Sequence, residues 1–192
     1  MAVQTMLRTD RVAALLDRKT LLGQLSAFEE AQILKEIGSL SKIDPIQADS
    51  IRAVCLGAEG KFEEACALHK KVIEQDPAES AFIGNYATCL AIFGKHQEAY
   101  EVFMQAWLLD KTNKDFLEKA IDMAVCLNRT DLVNSLNDQY QTLTGEPFRS
   151  VERTLLTGSD VTAEYCFSAT VGSSSFSDWD RPEEEEAWQH LQ

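Results

Sequence analysis

The chain of 192 residues is 45% hydrophobic and 26% charged, the balance of a soluble globular protein with enough length for one packed core. A formal net charge of −13 and a pI near 4.6 argue against nucleic-acid binding, because no Lys/Arg-rich stripe is present to meet a phosphate backbone. Acidity of this kind suits solubility, or a basic protein partner.

Taken from the start, Met1 to Leu16 carries Arg8, Asp10 and Arg11 and has no long apolar run, so it does not read as a signal peptide. No stretch has the length of apolar sequence that a membrane span needs. The five cysteines, at 55, 66, 89, 126 and 166, form no Cys-x-x-Cys pair, which fits neither a zinc site nor a disulfide framework. Four of them fall in helical, mostly apolar stretches, where a free Cys packs as a small core residue. A reducing, cytoplasmic setting is expected.

The next elements repeat. Gly60, Lys61, Glu64 and Ala65 recur thirty-four positions later as Gly94, Lys95, Glu98 and Ala99, and Ala53, Cys55 and Leu56 recur as Ala87, Cys89 and Leu90. The same offset carries Gly94 to Asn128, the next-best residue for a left-handed turn. Backwards, Phe62-Glu63-Glu64-Ala65 becomes Phe28-Glu29-Glu30-Ala31, and Asp76-Pro77 has a counterpart in Asp44-Pro45. Each unit reads as a helical hairpin. Ile51, Val54, Cys55 and Ala58 recur at helical spacing and meet Gly60, which can end a helix at positive φ. A second helix follows from about Lys61 and closes at Asp76-Pro77. Ala65 and Ala99 mark close helix crossings. One such hairpin cannot bury its own apolar face, whereas a stack of them can.

These residues resemble the tetratricopeptide repeat family. The resemblance lies in Ala53, Leu56, Gly60, Phe62, Ala65, Val72 and Pro77 of one unit, and in Tyr86, Ala87, Leu90, Gly94, Ala99, Phe103 and Ala106 of the next. It implies an all-α solenoid of helical hairpins over residues 1–145, with clear repeats at 46–79 and 80–113 and degenerate caps at 12–45 and 114–145. Departures are Asp49 where a tryptophan is usual, Arg52 where a leucine is usual, and Val133 where the third unit would hold a small residue.

In that family the first helix of each hairpin lines a concave groove. The resemblance therefore implies a lining of Gln47, Ser50, Ile51, Val54 and Ala58, then Ala81, Asn85, Thr88, Ala91 and Ile92, then Asp115, Glu118, Lys119 and Asp122. The family's clamp for chaperone C-termini uses lysines, an arginine and asparagines. Only Asn85 agrees, which disfavours a heat-shock co-chaperone. A groove apolar at one end and acidic at the other suits a partner segment with an apolar stripe. Bacterial type III secretion chaperones are similar in layout.

From Gly145 the helical period fades, and 146–192 reads as a Ser- and acid-rich, largely disordered tail. A loose alternation from Val161 to Val171 suggests no fixed strand. The stretch Phe176 to Leu191 combines aromatics with acids, and Asp180 and Pro182 suit the start of a short helix. Trp is a typical interface anchor. Asp178, Trp179, Pro182, Glu183, Glu184, Ala187, Trp188 and Leu191 resemble the C-terminal peptide of bacterial antitoxins, which implies acids set against a cationic toxin with aromatics in its pockets. The binding residues of such a tail would be Phe176, Trp179, Pro182, Glu183, Glu184, Trp188 and Leu191.

No phosphate loop, nucleophile elbow or His-Glu-x-x-His pattern occurs. The sequence thus leads to an expectation of a non-catalytic protein without cofactor or metal. Its partner would be a peptide segment or a small basic protein, not a nucleic acid or a membrane. The primary function expected is that of an adaptor or chaperone, and the rival is an antitoxin-like inhibitor.

Overall fold

The computed structural model describes residues 2–22 and 24–148, and those residues form eight α-helices and no strand. They are α1 (Ala2–Leu22), α2 (Ala27–Leu40), α3 (Pro45–Ala58), α4 (Phe62–Gln75), α5 (Ser80–Ile92), α6 (His96–Leu109), α7 (Lys114–Cys126) and α8 (Thr130–Thr144). The chain is all-α over this range. No helix among the described residues is long and apolar enough to cross a membrane.

The last six helices pair as α3–α4, α5–α6 and α7–α8, and one turn is used three times. Gly60, Gly94 and Asn128 take φ of 78°, 74° and 59°. In each case the next residue's N–H reaches back five positions: Lys61 to Leu56 O at 2.9 Å, Lys95 to Leu90 O at 2.9 Å, and Arg129 to Ala124 O at 3.0 Å. This satisfies carbonyls that the helix end would leave open. Asn128 therefore does the work of a glycine, at a position where most side chains would strain the backbone. Starts recur less strictly. Asp44 accepts from the Gln47 N–H at 3.0 Å ahead of Pro45, and Asn113 accepts from the Asp115 N–H at 3.2 Å.

Packing runs mainly between helices adjacent in sequence, with α3 also touching α5 and α1. Ala65 and Ala99 are fully buried, as the close crossing requires, and Val133 is accommodated at the matching place in the third pair. The larger core gathers α5 to α8 around Leu90, Phe103, Leu117, Ile121 and Met123. One approach is especially tight: a Cβ at Gly84 would lie 2.4 Å from Phe116 Cε1. Glycine here makes room for a ring.

The first pair departs from the pattern. Its core holds Val12, Ile33, Ile37, Leu40, Ala48 and Ile51. In α2 the buried residues are Ile33, Glu36, Ile37 and Leu40, which correspond by the thirty-four-residue offset to Ala67, Lys70, Lys71 and Glu74, all exposed in α4. Conversely Ala31, the counterpart of buried Ala65, is exposed, and Phe28 is 78% exposed. The Phe-Glu-Glu-Ala match is therefore one of letters and not of packing. The cause is local. Ser26 stands where the later units have glycine, takes φ of −69°, and forms a capping box with Glu29, so α2 begins in a different phase. Its isoleucines and Leu40 turn inward, with Glu36 paired to Arg8 and Arg11 of α1.

Candidate functional site

The expected groove is the surface of α3, α5 and α7. Gln47, Val54, Asn85, Thr88, Asp115 and Lys119 are half-buried, and Ala58, Ala81 and Ile92 are exposed, Ile92 by 46%. These nine positions keep exposed surface. Five others do not. Ser50 has no exposed surface and Ile51 only 6%, so both belong to the packing between helices. Ser50 corresponds by the repeat offset to Gly84, the site of the Phe116 approach, and its hydroxyl accepts from Asn85 Nδ2 at 3.3 Å. Ala91, Glu118 and Asp122 are likewise buried.

Burial explains the acidic end. Glu118 receives the Tyr140 hydroxyl at 2.8 Å and the Lys114 ammonium at 3.1 Å. Burial, reinforced by Glu118, raises the Tyr140 phenol above its ordinary value, and the hydrogen bond to Glu118 raises Lys114. Glu118 thereby ties α7 to α8. Thr88 donates its hydroxyl to Gly84 O at 3.0 Å, so its polar group is engaged within α5.

Asp49 and Arg52, the two departures in the first clear repeat, form one polar cluster. Asp49 meets Arg52 Nη1 at 2.5 Å and Lys71 Nζ at 3.1 Å, and Arg52 Nη2 reaches Ser41 Oγ at 2.7 Å. The Asp49–Lys71 ion pair ties α3 to α4.

One concavity was not foreseen. Trp107, Lys111, Asp138, Gln139, Thr142 and Leu143 line an open cleft of about 440 Å³ between α6 and α8. The apolar run Trp107-Leu108-Leu109 was the available signal, since a helix that buries one face has no need of three consecutive large apolar residues. Leu108 and Leu109 are 64% and 51% exposed.

Among the described residues no group of three or more His, Cys, Asp or Glu side chains is arranged to hold a metal ion. Cys55, Cys66 and Cys89 are free thiols. Cys126, at the half-buried end of α7, is not, being disulfide-bonded, so the reading of four free helical cysteines holds for three. The expected tail contacts Phe176, Trp179, Pro182, Glu183, Glu184, Trp188 and Leu191, with the Val161–Val171 stretch, lie outside the described residues.

No protein-family model matches the chain, and no curated protein matches it.

Proposed function

We propose that this chain is a tetratricopeptide-type adaptor or chaperone, non-catalytic, whose helical pairs stack as a solenoid and hold a segment of a partner protein against α3, α5 and α7. The observation that carries this reading is the turn repeated at Gly60, Gly94 and Asn128, which sets three helical pairs in the same register and leaves a row of half-covered side chains on their first helices. Val54, Thr88 and Ile92 supply an apolar strip, and Gln47 and Asn85 supply polar contacts beside it. A short helical or extended segment with an apolar stripe is the matching partner chemistry. A cytoplasmic setting belongs to this reading; the free thiols of Cys55, Cys66 and Cys89 favour it, and the bonded Cys126 runs against it.

The test is co-purification from the native host with three forms of the protein: the full chain, a form ending at Ser175, and the full chain with Val54→Glu and Ile92→Glu. Both substituted side chains are at least partly exposed, so the double variant is expected to fold. On this proposal the same partner is retained by the first two forms and lost by the third. Retention of a small basic protein by the first and third forms alone would overturn it in favour of the antitoxin-like reading of the tail.

A further inference from the structure

The cleft between α6 and α8 has a chemistry of its own. Trp107, 7% exposed, and Leu143, 51% exposed, supply its apolar part. Lys111 and Asp138 are exposed beside them, one from each wall. Among the described residues neither of these two charges forms an ion pair. The Thr142 hydroxyl donates to Asp138 O at 2.7 Å and Gln139 Nε2 donates to Ser135 O at 3.5 Å, so those donors are used within α8. What remains is an apolar body with one cation and one anion at its edge. The complementary occupant carries a large apolar side chain next to one acid and one base.

We propose that the occupant is this chain's own segment Asp178-Trp179-Asp180-Arg181. Trp179 inserts between α6 and α8, Asp178 or Asp180 meets Lys111, and Arg181 meets Asp138. Two observations support this choice. The first is charge. Trp179 stands between two aspartates and two residues from Arg181, the only Lys or Arg between Phe176 and Gln192. Trp188 follows the four glutamates at 183–186 with no Lys or Arg beside it, which would set like charge against Asp138.

The second is reach. The described chain closes at Phe148, whose N–H donates to Asn137 Oδ1 at 2.8 Å and whose ring centroid lies 5.3 Å from that of Tyr140. Both partners belong to α8, so the segment beyond 148 departs from a wall of the cleft itself. Thirty residues separate Phe148 from Trp179. A coil of that length spans about 30 Å, ample to cross a helix about 10–12 Å wide. Attachment also holds the segment at an effective concentration on the order of millimolar, so a weak intrinsic affinity suffices. The docked segment covers α6 and α8 and leaves α3, α5 and α7 to a partner, which makes the inference independent of the groove reading.

The test treats an equal mixture of isotope-labelled and unlabelled full-length protein with a zero-length carbodiimide, and maps the joined peptides by mass spectrometry. Lys71 and Asp49, paired at 3.1 Å, provide the internal standard. The expected product joins Lys111 to Asp178 or Asp180 within one chain, so that both peptides carry the same label. Trp179→Ala should lower its yield about tenfold, the loss of an aromatic anchor. Leu143→Asp, at an exposed position, should do the same, while Trp188→Ala leaves the yield unchanged. Joined peptides of mixed label would mean that a second copy fills the cleft, and would overturn the proposal. So would Lys111 joined only to carboxylates within residues 2–148, or an equal loss in Trp188→Ala.

Discussion

The α1–α2 pair and the α3–α6 region carry similar letters and pack in opposite ways. In α4, Ala65, His69 and Val72 face inward; in α2 the matching Ala31, Lys35 and Gly38 face out. The difference follows from what ends the preceding segment. Where Gly60 and Gly94 take positive φ, the following helix enters with a fixed phase. Where Ser26 supplies a capping box, the helix enters on another face and recruits Ile33, Ile37 and Leu40 to the core. A repeat is thus set by its turn as much as by its apolar spacing.

The largest separation between the regions should come from deleting a central side chain. Phe103 is 1% exposed, and Phe103→Ala should cost about 4 kcal/mol in urea unfolding. Phe28→Ala should cost less than about 0.5 kcal/mol, since that ring is already in water. Equal losses would mean that α2 packs with the repeat phase after all.

Acid should also divide the two regions, through His69. It occupies the repeat position of Phe103, is fully buried beside Tyr86 with ring centroids 5.8 Å apart, and neither ring nitrogen has a hydrogen-bond partner. Burial pushes its pKa down to about 4 from 6.5. Between those values the unfolded chain binds the proton and the folded chain does not. Stability therefore falls as pH drops from 6.5 towards 4, by up to about 3 kcal/mol, and this contribution is flat above 6.5. His69→Phe, which copies the next unit, should remove that slope while leaving carboxylate effects below about pH 4.5 in place. Urea titrations of both proteins from pH 4 to 7.5 read the difference directly.

Ala31 and Ala65 offer a smaller and more direct contrast, because the sequence gives them the same neighbours. Ala65→Leu should overpack the α3–α4 crossing and cost about 2 kcal/mol. Ala31→Leu adds a good helix former to an exposed face and should stay within about 0.5 kcal/mol. Matching costs in urea unfolding would break the distinction between the regions.

The central fold was legible because its signals were short-range and redundant. Gly60 and Gly94, the buried alanines and the thirty-four-residue spacing all pointed to one arrangement, and Asn128 could be added on backbone chemistry alone. The face of α2 was not legible. Phe-Glu-Glu-Ala matched α4, while the decisive feature was the φ of Ser26, which a serine permits but does not announce. Among the groove residues, nine kept surface and Ser50, Ile51, Ala91, Glu118 and Asp122 did not. Spacing locates the side of a helix, but the depth reached by a neighbour such as Phe116 depends on three dimensions. The α6–α8 cleft was missed for a similar reason, since its lining comes from two helices with α7 between them in the chain.

The smallest expected effects test the cause of the phase difference itself. Ser26 accepts from the Glu29 N–H at 3.3 Å and its own N–H donates to the Glu29 carboxylate at 2.8 Å. Ser26→Ala should cost about 1 kcal/mol, and Ser26→Gly only a few tenths, because glycine caps tolerably. Making the chain look more like the repeat at this position therefore gains nothing: φ of −69° has no use for glycine's freedom. The reciprocal change should not be neutral. Gly60→Ser places a side chain at φ of 78° and should cost about 1 kcal/mol or slightly more, with Gly60→Asn milder because Asn128 already tolerates the same turn. If both exchanges proved equally harmless in urea titrations, turn geometry would lose its role, and the opposite faces of α2 and α4 would have to be traced to their apolar residues alone.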